Sequence, residues 1–144
     1  MEFNPDNRVV KLCAEGMEFE GKADSEKARG KFYEAWELSD TNFEKFIAAH
    51  YVARHQNSVS DKLNWDKIAL EFALNMDDES ANGMLPSLYL NVAKCYEDLE
   101  DLANARICYT SGKSYFDYLP DDGYGNMIKR GIESGIQRIS KIEG

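Results

Sequence analysis

The chain has 144 residues, of which 43% are hydrophobic and 30% are charged, and its formal net charge is −9. This length and composition are typical of one globular domain and exclude a disordered or collagen-like chain. The excess of acidic residues repels phosphate backbones and anionic lipid surfaces, so we expect neither nucleic acid nor a membrane as a partner.

The sequence predicts seven helices and no strand, because its apolar residues recur at steps of three and four. In chain order, the predicted helices cover about residues 4–21, 24–39, 41–52, 63–76, 88–99, 102–118 and 126–142. The first is expected to start with an Asn4 cap followed by Pro5. Thr41 and Glu44 form a capping-box pattern at the start of the third. A polar connection over residues 56–61 separates the third helix from the fourth.

Two segments share one spacing of small and aromatic residues. In the later segment these residues are Ala93, Tyr96, Ala105, Tyr109 and Gly112, and in the earlier one they are Gly16, Phe19, Ala28, Phe32 and Ala35. Two crossing helices need small residues where they approach most closely and rings to fill the gaps beside them. A middle segment with Ala48 and Tyr51 fits the spacing less well. The sequence therefore predicts a helical repeat.

This spacing resembles the tetratricopeptide repeat, a family of helix pairs. The resemblance implies an all-α fold, a right-handed α-α superhelix of about three helix pairs within a single domain over residues 1–144. The repeats would cover about residues 8–40, 41–80 and 86–118. A helix over about residues 124–143, with an isoleucine stripe, would cap the last repeat. The alternative is a plain α-helical bundle.

The resemblance further implies that the first helix of each repeat lines a concave groove that binds an extended or helical peptide. The groove residues it assigns are Val10, Cys13, Met17 and Glu20 in the first repeat, and Ser87, Leu90, Asn91, Lys94, Glu97 and Asp98 in the third. We therefore predict a non-catalytic adaptor or scaffold whose protein or peptide partner is neutral or basic. One alternative is a homodimer or larger homo-oligomer. The other is a small enzyme that uses Tyr115, Tyr118 and Tyr124.

No residue pattern predicts a catalytic centre, a metal site or a cofactor. His50 and His55 are expected on one helix, where a spacing of five residues places them about 140° apart, too far around the axis for one metal. The acidic clusters lie at predicted helix ends, where carboxylates cap backbone amides. Phosphate-loop and nucleophile-elbow motifs are missing. The segment Asn4-Pro5-Asp6-Asn7 lacks the final aromatic residue of an adenine-methyltransferase motif.

The sequence also predicts a cytoplasmic location. The cysteines Cys13, Cys95 and Cys108 are widely spaced and form no Cys-x-x-Cys pair, which is typical of reduced thiols. No apolar run approaches the roughly 20 residues of a membrane span. The first six residues contain neither a basic leader nor an apolar stretch, so we expect no targeting segment.

Overall fold

The computed structural model of the protein describes residues 4–143; residues 1–3, which belong to the expectation about a leader, and Gly144 lie outside it. The α-helices are α1 (Arg8–Gly21), α2 (Ser25–Leu38), α3 (Asn42–Ala53), α4 (Val59–Leu74), α5 (Leu85–Asp98), α6 (Leu102–Lys113) and α7 (Gly123–Glu143). Two short 3₁₀ helices are present and no strand forms within residues 4–143. The predictions of an all-α fold and of seven helices are confirmed.

The described chain divides into two compact units at the junction between Asp77 and Asp78. Unit 1 contains α1 to α4: α1 pairs with α2, α3 pairs with α4, and α3 also packs against α1 and α2. Unit 2 contains α5 to α7: α5 pairs with α6, and α7 packs against both. None of the helices in the described part of the chain is both long and apolar enough to cross a membrane.

Capping side chains set the helix starts. The predicted capping box is confirmed, with Thr41 Oγ1 accepting a hydrogen bond from the Glu44 amide at 3.1 Å. The predicted cap at Asn4 is wrong: Asn7 caps α1, because its Oδ1 accepts hydrogen bonds from the amides of Val9 and Val10 at 2.8 and 3.1 Å. A suitable cap three residues further along thus delays the start of the helix.

Three other predicted boundaries are wrong, and the seventh helix also starts earlier than predicted, at Gly123 rather than at residue 126. The fourth helix starts at Val59 rather than at residue 63, because Ser58 Oγ accepts a hydrogen bond from the Asp61 amide at 3.1 Å. The fifth starts at Leu85, with a proline in its first turn, where the missing amide hydrogen costs nothing. The sixth ends at Lys113, and a separate 3₁₀ helix follows at Phe116–Tyr118.

The first helix pair of each unit has the same construction. The starts of α1 and α5, Arg8 and Leu85, are 77 residues apart, and so are the starts of α2 and α6, Ser25 and Leu102. Each small or aromatic residue of the repeated spacing in α1 and α2 likewise has its counterpart 77 residues later, in α5 or α6. Residues of α1 and α2 can therefore be compared directly with residues of α5 and α6.

The turns inside these two helix pairs also match. Ala23 and Glu100, again 77 residues apart, have left-handed φ angles of 59° and 64°. Each is followed by an aspartate, Asp24 or Asp101, that caps the next helix by accepting a backbone hydrogen bond. Asp101 thus has the capping role that the sequence predicts for its acidic cluster.

The core of each unit contains a fully buried ring that lies against a glycine. In unit 1 the ring of Phe32 lies against Gly16, where an added Cβ would be 2.3 Å from the ring. In unit 2 the ring of Tyr109 lies against Gly135 of α7, again with 2.3 Å to an added Cβ. Three isoleucines of α7 are buried against the same cluster, namely Ile128, Ile132 and Ile139. These contacts hold α7 against the α5–α6 pair.

Candidate functional site

An apolar groove of about 270 Å³ lies between α1 and α3 in unit 1. The residues that line it are Val10, Cys13, Ala14 and Met17 from α1, and Ile47 and Tyr51 from α3. Their side chains are uncharged at neutral pH. Such a groove can accept an uncharged side chain of a ligand, whereas a charged one would lose its hydration without gaining a partner.

The α1 wall contains three of the residues that the sequence predicts for a groove. Val10, Cys13 and Met17 share one face of the helix because they are three, four and seven residues apart. Cys13 is buried, while Met17 is 40% exposed at the mouth of the groove. Burial raises the pKa of the Cys13 thiol to about 12, so the thiol stays protonated and acts as a small apolar group.

The sequence did not predict that residues of α3 line a groove. Ile47 and Tyr51 are four residues apart and therefore neighbours on one face of the helix. The Tyr51 ring stacks on the buried Phe32 ring, with the centroids 5.2 Å apart, and this contact fixes its position. The spacing of these two residues suggests a shared face, but only the packing of α3 against α1 shows that this face lines a groove.

An ion-pair cluster lies beside Tyr51 and joins α1 to the end of α3. Arg54 stacks over the Tyr51 ring, with its Cζ 4.7 Å from the centroid, and its Nη1 donates to Glu20 Oε1 at 3.0 Å. The other Glu20 oxygen lies 2.8 Å from Nε2 of His55. Glu20, a predicted groove residue, thus binds Arg54 and His55 and ties the two helices together.

The two histidines do not share a helix, so that prediction is wrong. His50 lies in α3, whereas His55 follows the last residue of that helix and pairs with Glu20. Burial, with a smaller effect from the positive charge of Arg54, lowers the pKa of His50 to about 4. His50 is therefore neutral at physiological pH.

In unit 2, two of the predicted groove residues contact α7. Leu90 packs against Gly131, where an added Cβ would lie 3.1 Å from Leu90 Cδ2. Glu97 Oε1 accepts hydrogen bonds from Tyr109 Oη at 2.7 Å and from Arg138 Nη2 at 2.9 Å, and its Oε2 accepts one from Arg138 Nε at 2.8 Å. Both side chains therefore help to hold α7.

The other four predicted residues of unit 2 lie in different surroundings. Ser87 is buried and donates from its hydroxyl to the Met84 carbonyl at 3.0 Å. Lys94 and Asp98 form an exposed ion pair, with Nζ 2.5 Å from Oδ1. Asn91 is half-buried on the same helix. Three of the four predicted residues of unit 1, Val10, Cys13 and Met17, thus line the α1–α3 groove, whereas Ser87, Leu90 and Glu97 of unit 2 make contacts inside that unit.

The pairing of Glu97 predicts a stability change in acid. Hydrogen bonds from Arg138 hold the pKa of Glu97 at about 2, below its ordinary value of 4.5. The contribution of ionised Glu97 to the free energy of unfolding is complete above pH 4.5 and is lost as the pH falls through about 2. We expect the free energy of unfolding to fall by about 2 kcal/mol over this range. Water partly screens the half-exposed Arg138, which keeps this loss below the value that the full pKa shift implies.

The measurement is the free energy of unfolding from urea titrations between pH 6 and pH 2, for the wild-type protein and for Glu97→Gln. Other carboxylates titrate in both proteins, so the difference between the two curves isolates Glu97. The difference should be largest above pH 4.5 and shrink towards pH 2. A difference that stays constant with pH would contradict the proposed pairing.

The remaining candidate groups do not assemble around the groove. Within residues 4–143, no three His, Cys, Asp or Glu side chains are grouped so that they could hold a metal ion. Tyr115 lies between two other rings, 6.1 Å from Tyr89 and 6.1 Å from Tyr118. Tyr124, the third tyrosine of the predicted alternative, lies in the first turn of α7.

Comparisons of the chain with protein-family models, with curated proteins and with solved structures found no match.

Proposed function

We propose that this protein is a non-catalytic interaction module of the tetratricopeptide-like kind, and that the α1–α3 groove binds an apolar side chain of a protein partner. The observation that carries the proposal is the groove itself, which is uncharged and has an exposed methionine at its mouth. Because the chain carries a net charge of −9, we expect the bound segment to be neutral or basic around its apolar side chain.

The internal duplication supports the repeat part of this proposal. In unit 1, Glu20 at the end of α1 binds Arg54, which follows α3. In unit 2, the corresponding Glu97 binds Arg138 of α7. A glutamate in one register position thus pairs with an arginine in both units; this arginine directly follows the next helix but one in unit 1 and lies within it in unit 2. Such recurrence is expected of a helical repeat, and a right-handed superhelix is the arrangement that we propose for it.

The chemistry of the groove favours binding over catalysis. Its one thiol, on Cys13, has a pKa of about 12 and is therefore a poor nucleophile near pH 7. The nearby carboxylate of Glu20 is occupied by Arg54 and His55. What the groove offers a ligand is apolar surface, whose burial drives association without a chemical step.

The proposal predicts that Met17→Glu weakens binding. Peptides selected from a random display library on the wild-type protein should lose at least about tenfold in affinity, because the new carboxylate must be desolvated at the mouth of an apolar groove. The matched control is Leu38→Glu, since Leu38 is 45% exposed but does not line the groove. Titration calorimetry gives both affinities.

Two results would contradict the proposal. One is that the selected peptides bind Met17→Glu as tightly as the wild-type protein. The other is that Leu38→Glu weakens binding as much as Met17→Glu does, which would indicate a general effect of added negative charge. Circular dichroism of both variants shows whether the helices are retained.

A further inference from the structure

The two histidines of the chain, His50 and His55, both lie in unit 1, and unit 2 contains none. Histidine is the side chain whose charge ordinarily changes between pH 5 and pH 8. A fall in pH from 7 to 5 therefore acts mainly on unit 1, since ordinary carboxylates take up protons at lower pH. What a proton does to each histidine depends on the groups around its ring.

The ring of His50 lies in a site that suits only its neutral form. Its Nδ1 is a buried atom that has no hydrogen-bond partner within residues 4–143. Protonation makes this atom an N–H donor, and the donor would have no acceptor. A buried donor without an acceptor is destabilising, and a buried charge is more so. The folded state of α3 therefore disfavours a proton on His50.

The charged groups around His50 disfavour the proton as well. Burial lowers the pKa of His50 most, and the positive charges of Arg54, after α3, and Lys62, in α4, lower it further, to about 4. Arg54 is paired with Glu20 of α1 at 3.0 Å. Lys62 is paired with Asp66, also in α4, at 2.5 Å. Within the described chain, α2 contributes no charge that acts on His50.

His50 belongs to the helix that joins the other helices of unit 1. α3 pairs with α4 and also packs against α1 and α2. The His50 ring meets the Tyr51 ring in an edge contact, with the centroids 5.1 Å apart. Because a charged His50 needs water, its protonation requires α3 to move away from its neighbours. Such an opening can be confined to one compact unit, since proteins open in cooperative units smaller than the whole chain.

We propose that His50 is an acid-sensitive switch that opens α3 and α4 of unit 1 when the pH falls from 7 to about 5, while α5 to α7 of unit 2 stay folded. This inference goes beyond the proposed function and does not depend on what the groove binds. Above pH 6.5 the ring is neutral in both the folded and the opened state. As the pH falls towards about 4, the opened state binds the proton more tightly and is favoured.

Native-state hydrogen exchange tests the proposal on the wild-type protein. Amide exchange rates at pH 7 and pH 5, corrected for the intrinsic rates, give an opening equilibrium constant for each helix. The constants for α3 and α4 should rise at least about tenfold at pH 5, whereas those for α5 to α7 should change by less than about threefold. An equal rise in both units, or no rise in α3 and α4, would contradict the proposal.

Two variants test whether His50 is the group that responds. His50→Gln removes the titrating ring and should abolish the rise in α3 and α4. The matched control is His55→Gln, because His55 is the other histidine and is paired with Glu20. The rise should persist in this control. Loss of the rise in His55→Gln, with retention in His50→Gln, would assign the effect to His55 and overturn the proposal.

A second measurement decides the matter if His50→Gln does not fold, as judged by its amide spectrum. In His55→Gln, His50 is the one remaining histidine, so its ring Cε1–H signal in NMR spectra needs no further assignment. This signal should not titrate between pH 8 and pH 5.5. A titration centred near pH 6.5 would mean that the folded protein accepts the proton, and the proposal would be wrong.

Discussion

Phe32→Ala is expected to lower the free energy of unfolding by about 3–5 kcal/mol. The Phe32 ring is fully buried, lies against Gly16 and stacks on Tyr51 with the centroids 5.2 Å apart. Its removal leaves a cavity that α1, α2 and α3 cannot close without moving, since each contributes to the surrounding wall. Urea unfolding followed by circular dichroism at 222 nm measures the loss.

Ile107→Ala is the control, because Ile107 is 62% exposed and should change the free energy of unfolding by less than about 0.5 kcal/mol. A loss below about 1 kcal/mol for Phe32→Ala would mean that the ring is not the packing centre of unit 1. The position of Tyr51 in the groove depends on the same ring. We therefore expect Phe32→Ala to weaken ligand binding as well as to lower the free energy of unfolding.

Gly135→Ala is expected to lower the free energy of unfolding by about 1–3 kcal/mol, although alanine favours a helix by about 1 kcal/mol over glycine. An added Cβ would lie 2.3 Å from Cζ of the buried Tyr109 ring. The ring cannot swing aside, because its hydroxyl donates to Glu97, which also binds Arg138. Relief of the clash therefore requires α7 to move away from α6. Urea unfolding measures the change.

Gly131→Ala serves as the matched control in the same helix. There the added Cβ would lie 3.1 Å from Cδ2 of Leu90, the far end of a flexible side chain. A small movement of Leu90 relieves this contact, so we expect a change of less than about 1 kcal/mol in either direction. A Gly135→Ala protein as stable as the wild type would contradict the close packing of α7 on Tyr109.

The sequence predicted the helices well because apolar periodicity and local capping act over a few residues. The side chains of Thr41 and Glu44 accept hydrogen bonds from each other's backbone amides within one turn, and the start of α3 was predicted correctly. The start of α1 was not, because Asn4 and Asn7 are both suitable caps and sequence alone does not rank them. The same holds for α4, where the predicted polar connection contains the capping Ser58.

The groove was only partly predictable. The spacing of Val10, Cys13 and Met17 identifies one helix face, but their partners Ile47 and Tyr51 depend on how α3 packs against α1. That packing depends on contacts between residues far apart in the sequence. One such contact is the Glu20–Arg54 pair, which spans 34 residues.

The close packing of α7 in unit 2 has a signal in the sequence, a pair of glycines. Gly131 and Gly135 are four residues apart on one helix face, which permits close approach of a neighbouring helix. The residues that fill this space, Leu90 and Tyr109, lie on two other helices. The pairing of Glu97 with Arg138, 41 residues away, has no local signature.

The most direct test of the binding groove is to locate a selected peptide on the protein. Intermolecular nuclear Overhauser effects between the peptide and methyl-labelled wild-type protein report which side chains it contacts. We predict contacts to Val10, Met17 and Ile47. Contacts confined to the surface around Asn91 and Lys94 in unit 2, with none to those three residues, would contradict the α1–α3 groove as the binding site.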